Sequence, residues 1–249
     1  MGANTTISWT KRTWNPWRGC TKISPGCKNC YMFAAQLRYG NEPHTVVRTR
    51  TWNDPLRWQR QAAYQGKWEF VFTCSWSDWF HEAADEWRGE AWQIIRRCPN
   101  LIFQILTKRP ERIADHLPDD WGEGYANVWL GTSIELNEYV WRADVLRKIP
   151  AVIRFISAEP LLGPLTDLDL EGIHWLIVGG ESGARYRPMK LAWVRELRDR
   201  ALAQEVAFFF KQSAGRRPET GTLLDGRHWR QYPRRVSSVP VVSVGKGPR

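Results

Sequence analysis

Leu101-Ile102-Phe103-Gln104-Ile105-Leu106-Thr107-Lys108-Arg109 is the stretch from which the fold is read. It is a short, nearly continuous apolar run that stops abruptly on a hydroxyl and two cations. Apolar residues at successive positions suit a strand buried on both faces, as in a parallel sheet. The same pattern recurs at residues 70–75, 127–133, 151–159, 175–181 and 206–211. Helical patterns lie between the runs, at 84–97, 111–117, 139–148 and 191–204. Upstream, 7–10 and 13–17 are short β-prone pieces, and a helix is expected from Tyr31 until Gly40-Asn41-Glu42-Pro43 ends it. Repeated βαβ units of this kind predict an α/β fold, a full or partial (β/α) barrel of about six or seven parallel strands. The barrel is expected over residues 1–215. A basic C-terminal extension, partly flexible, is expected over 216–249.

The chain has 249 residues, enough for one such barrel without disulfides. Its formal charge of +10 points to a polyanionic partner, nucleic acid being the commonest. Part of that excess is terminal, in Arg216, Arg217, Arg227, Arg230, Arg234, Arg235 and Lys246. The 16 tryptophans are expected mostly in the core, with some lining a cleft. No apolar run approaches the roughly 18 residues that span a bilayer, and residues 1–6 hold no apolar signal-type segment. The five cysteines are odd in number and three of them are clustered, unlike a secreted disulfide framework. A cytoplasmic protein with reduced thiols and no membrane association is expected.

The clustered three are Cys20, Cys27 and Cys30, spaced C-x6-C-x2-C in a loop rich in glycine and proline that follows the first strand. Thiolates so close together bind metal. Structural zinc needs a fourth ligand, for which His44 is nearest and Cys74 next; an iron–sulfur cluster with one open position needs only three. Cys74 and Cys98 read as buried thiols, with Cys74 close enough to a strand end to approach the site.

In parallel α/β folds functional groups gather at the carboxyl ends of the strands. Those ends carry Ser75, Ser77 and Asp78; Lys108 and Arg109; Ser133 and Glu135; Glu159; Gly179, Gly180 and Glu181; and Lys211. The cysteine loop shares their rim. The two cations at 108 and 109 suit a phosphate or carboxylate, and the glycines permit close backbone approach to a ligand.

A three-cysteine loop after the first strand, with an aromatic residue next to the last cysteine, resembles the radical S-adenosylmethionine (radical SAM) superfamily. Its common spacing is C-x3-C-x2-C, three residues shorter in the first gap. Trp14-Asn15-Pro16-Trp17-Arg18-Gly19-Cys20, Leu106-Thr107-Lys108-Arg109-Pro110, Ser157-Ala158-Glu159-Pro160-Leu161-Leu162 and Gly179-Gly180-Glu181-Ser182-Gly183 together resemble a phage- and prophage-associated three-cysteine family. That family is similar to the spore photoproduct lyase type. The resemblance implies a [4Fe-4S] cluster on Cys20, Cys27 and Cys30, S-adenosyl-L-methionine as cofactor, and an external electron donor. It further implies Ser75, Ser77 and Asp78 on the methionyl ammonium, Ser133 and Glu135 on the ribose, and Glu159, Gly179, Gly180 and Glu181 on the adenine or substrate side. The expected reaction is repair, rearrangement or modification of a nucleic-acid base or nucleotide. A peptide or small-metabolite substrate is one alternative, and a zinc-stabilised nucleic-acid-binding protein without catalysis is another.

Overall fold

The computed structural model describes residues 5–233; the mobile tail expected over 236–249, and the cations at 234, 235 and 246, lie outside them. Seven strands form one sheet in chain order: β1 (Arg12–Trp14), β2 (Glu69–Thr73), β3 (Leu101–Thr107), β4 (Val128–Ser133), β5 (Ile153–Ala158), β6 (Trp175–Gly179) and β7 (Ala207–Gln212). Every pairing is parallel. The first and last strands are not paired with each other, so the sheet is an open half-barrel. Its curl follows from ring contacts. In a flat sheet β2 and β6 would stand about 19 Å apart, yet Trp9 packs on Phe72 of β2 at 4.6 Å and on Trp175 of β6 at 6.1 Å. Tyr232 likewise bridges Phe70 of β2 and Phe209 of β7.

The central strands are apolar on both faces because both are covered. The convex face packs on α2 (Asp54–Tyr64), α3 (Asp85–Arg96), α4 (Trp141–Arg147) and α5 (Leu191–Ala203) through residues such as Phe103, Leu130, Ile156, Leu176 and Phe210. On the concave face Phe72, Ile102, Trp129, Phe155, Trp175 and Phe209 form a second apolar cluster closed below by Trp9. That plug fills the amino-terminal half. Further up the same face the side chains shrink to Gly131, Ser133, Ser157 and Gly179. Gly131 is required there, since a Cβ would lie 2.5 Å from the Phe155 ring. The concave face is therefore floored by aromatics and opens toward the carboxyl ends.

Some details differ from the sequence reading. Residues 7–10 form a turn, and Trp9 is a plug and not a strand residue. The helix expected at 111–117 is two 3-10 turns, Pro110–Arg112 and Ala114–His116, ended where Leu117 turns extended. Helix α2 was not expected; its start carries Pro55 in the first turn, which suits a helix beginning. Residues 216–233 are no loose extension. Leu224 and Trp229 are buried in the convex core, and the amide of Phe210 donates to the carbonyl of Trp229. Eleven of the tryptophans are buried, so most of that content is structural; Trp141 and Trp68 are the exposed ones. Among the described residues no helix is long and apolar enough to cross a membrane.

Candidate functional site

Trp14 and Trp17 place the cysteine loop. Both are fully buried against Trp79 and Trp52, and their indole nitrogens donate to the carbonyls of Trp52 and Asp78. Trp17–Arg18 then pairs antiparallel with Val47–Arg48. Gly19 makes the turn into the loop at φ +95°, where a Cβ would lie 2.1 Å from the carbonyl oxygen of Thr45; no other residue fits. Cys27 ends a 3-10 turn at Pro25–Cys27, and Cys30 caps α1 (Tyr31–Arg38).

The loop is fastened to four strand ends. After β2, the Ser77 hydroxyl donates to the Gly19 carbonyl at 2.5 Å, and the Gly19 amide donates to the Trp76 carbonyl at 3.1 Å. After β3, Arg109 donates to the Thr21 hydroxyl at 2.6 Å, and Nε2 of His81 lies 3.2 Å from the same oxygen. Since Nδ1 of His81 accepts from the amide of Ala83, Nε2 carries the proton in the neutral ring. After β4, Glu135 accepts from the Gly26 amide at 3.3 Å and from Arg142 at 3.1 Å. After β6, Glu181 accepts from Asn29 at 3.0 Å and from Arg187, which in turn donates to the Pro25 carbonyl at 2.9 Å.

These bonds define what several expected cofactor residues do. The Asp78 oxygens accept from Thr107, from the amides of Phe80 and Lys108, and sit 3.2 Å from Arg109, so Asp78 braces β2 against β3. Ser75 exchanges hydrogen bonds with Asn15, and Ser77 is spent on Gly19. Glu135 and Glu181 hold the loop itself. Gly180 is small for the protein's own sake: a Cβ there would lie 2.2 Å from the amide nitrogen of Ala214. Gly180→Ala is expected to cost about 1–3 kcal/mol by overpacking, read as a fall in the urea midpoint at unchanged slope.

Ser133, Glu159 and Gly179 lie together on the upper concave face, with Ser133 and Gly179 buried and Glu159 half-buried. Ser133 is the register partner of Ser157. Glu159 accepts from Ser157 at 3.2 Å and pairs with Lys211 at 3.0 Å. Gly179 leaves room for that carboxylate, since a Cβ would come within 2.8 Å of its Oε2. Tyr31 joins the two sides. Its ring is exposed, but its hydroxyl turns inward and donates to the Ser75 carbonyl at 2.7 Å. Burial of that hydroxyl, then the charges of Cys30 and Glu159, push the phenol up. Lys211 and Tyr31 were visible in sequence as a strand-end cation and as the residue after the last cysteine. Asn29 and Arg187 carry no such signal.

The three loop cysteines are free thiols, as are the buried Cys74 and Cys98. Burial pushes the Cys20 thiol up to about 12, with Asp78 adding to the effect, Arg109 opposing it, and Cys27 and Cys30 raising it further. Cys30 is raised as well, chiefly by burial; the amides of Met32 and Phe33 and the ammonium of Lys108 work the other way. Among the described residues no three His, Cys, Asp or Glu side chains gather as a single metal ion requires. His44 and Cys74 therefore complete no zinc site. A four-iron cluster asks for something else, since each thiolate meets a different iron and the sulfurs need a common space, not a common point. Three free thiols on one fastened loop are the donor type that such a cluster takes.

Glu181 makes the rim acid-sensitive. Burial disfavours its charge, but Arg187 and Asn29 outweigh that and hold the carboxyl below its ordinary 4.5. The unfolded chain then binds the proton first, so the stabilisation is complete above about 4.5 and is lost as pH falls through the lower folded value. Glu181→Gln is expected to flatten the loss of thermal stability between pH 5 and the folded value, measured by a Tm series across that range.

A family model described as "Protein of unknown function (DUF5131)" matches residues 4–233. No curated protein and no solved structure matches the chain.

Proposed function

We propose that this chain, which belongs to the DUF5131 family, is a radical SAM enzyme that modifies, rearranges or repairs a nucleic-acid base or nucleotide. The observation that carries the reading is the cysteine loop, tied across the carboxyl-end rim of a parallel half-barrel beside the small and polar side chains of its concave face. Cys20, Cys27 and Cys30 would hold a [4Fe-4S] cluster, with S-adenosyl-L-methionine beside it. When bound, these groups would supply radical hydrogen-abstraction chemistry, with the electron coming from an external donor.

The chain's own residues supply the rest. Glu135, Asn29 and Ser77 hold the loop in one geometry. Glu159, with Ser157 and Ser133 beside it, offers a carboxylate and two hydroxyls to the ammonium or ribose of the cofactor. Lys211 holds the Glu159 carboxylate in an ion pair at 3.0 Å and so fixes its position. The aromatic floor from Phe72 to Phe209 excludes water below the site, which protects a reactive species from side reactions. The positive charge and the exposed Trp141 favour a nucleic-acid substrate over a peptide or small metabolite. A phage-associated role in DNA modification, a cytoplasmic setting and an external electron donor belong to the same reading.

The test is anaerobic purification and reconstitution. A brown protein with about four irons per chain, forming 5′-deoxyadenosine from S-adenosylmethionine and a strong reductant, is the expected result. A colourless protein holding one zinc, or a loaded one that releases no 5′-deoxyadenosine, overturns the reading.

A further inference from the structure

A second cleft lies on the outer flank of the cysteine loop, between the end of β3 and the start of α4. It has a volume of about 360 Å³ and is walled by Thr21, Lys108, Arg109, Tyr139, Trp141 and Arg142. That size is within the range of small-molecule sites. It is separate from the concave face that carries Glu159 and Lys211.

The charges of the cleft are unequally committed. Arg109 is paired with Asp78 and Glu82, and Arg112, also on the lining, with Asp85. Glu111 is the acid of the lining that has no cation within ion-pair distance among the described residues. Lys108 has no carboxylate within that distance among them either. Arg142 is 2% exposed; it is held by Ser133 and Glu135 through one terminal nitrogen, and its Nε–H has no acceptor among the described residues. The lining remains net positive, with four cations against two acids.

Beside these cations stand two aromatic rings. The Arg142 guanidinium lies 4.2 Å from the Tyr139 ring and 5.8 Å from the Trp141 ring. Tyr139 is partly covered, but Trp141 is 41% exposed, which is unusual in a chain that buries most of its tryptophans. An exposed indole next to an uncommitted ammonium is the pairing that recognises a flat base joined to a phosphate.

We infer that this cleft binds a nucleoside phosphate unit, with the phosphate at Lys108 and Arg142 and the base on Trp141. In the enzyme it would seat the nucleotide flanking the one that enters the concave face, and in that respect the inference rests on the reading above. The binding itself does not require the cluster.

The test measures affinity on the full chain, with and without iron, using a 5′-mononucleotide, a single-stranded 12-mer and the same 12-mer as a duplex. Saturable binding of the mononucleotide or the single strand is expected, and the tighter of the two identifies the source of the unit. Trp141→Ala should weaken it about tenfold, within the range for lost base stacking, while Trp141→Phe should stay within about threefold. Lys108→Ala should weaken it and reduce the slope of log affinity against log salt by about 0.7. Equal affinity in the parent, Trp141→Ala and Lys108→Ala chains overturns the proposal, as does binding confined to the duplex. Binding that follows these residues in a chain that never yields 5′-deoxyadenosine keeps the cleft and removes the radical reading. The reverse pattern keeps the radical reading and removes the cleft.

Discussion

A Cys27→Ala chain, reconstituted without oxygen, is expected to hold almost no iron where the parent holds about four per chain. The parent's brown colour should vanish with it. Three thiolates are the minimum that leaves one iron open for a cofactor, and losing one leaves two irons without protein ligands. Cys27 follows Gly26, whose amide is held by Glu135, so its position is set by the loop and not by the thiol. The variant should therefore fold normally, with Tm within a few degrees of the parent. Cys98→Ala is the matched control. Cys98 is a fully buried thiol packed in the convex core, and its loss should leave the iron content untouched. Full iron in the Cys27→Ala chain would sink the assignment.

The second large effect belongs to Glu135→Ala. Glu135 and Arg142 form an ion pair with side chains 0% and 2% exposed. Removing one partner of such a pair leaves a buried charge uncompensated and costs about 3–5 kcal/mol, a fall in Tm of about 10 °C for a chain of this size. The same change releases the Gly26 amide, so hydrogen exchange at residues 26–28 should quicken beyond what the global loss explains. Replacing both partners together, Glu135→Leu with Arg142→Met, should recover much of the stability. It should not recover the protection of Gly26, because leucine accepts no hydrogen bond. A single variant that costs less than about 1 kcal/mol would show that the pair is solvated after all.

The strands were legible because a parallel sheet covered on both faces leaves nearly unbroken apolar runs, and 101–107 is such a run. The carboxyl-end rule then brought the cysteine loop, Glu135, Glu159 and Glu181 to one rim. Direction was the part that sequence could not supply. Ser75, Ser77 and Asp78 stand out as polar residues after an apolar strand, but nothing local says that they bond to Asn15, Gly19 and Thr107. Partnership was equally hidden. Glu135 meets Gly26 across 109 residues and Glu181 meets Asn29 across 152, and no periodicity records such a pairing. Helix α2 escaped notice because Leu56, Trp58 and Ala62 are few apolar anchors among many polar residues. The segment after 216 looked like a tail because its arginines outnumber Leu224 and Trp229, the two residues that dock it.

The fastening of the cysteine loop has a consequence for how the protein is made. The bonds that fasten the loop to the barrel run between distant parts of the polypeptide: Ser77 to Gly19, Arg109 to Thr21, Glu135 to Gly26, Glu181 to Asn29. A zinc finger has no such ties and stays unfolded until its metal arrives. In this protein those ties need no metal, so under the proposed function the polypeptide would reach its shape before any cluster entered, and a variant unable to hold iron should still be recovered as folded protein.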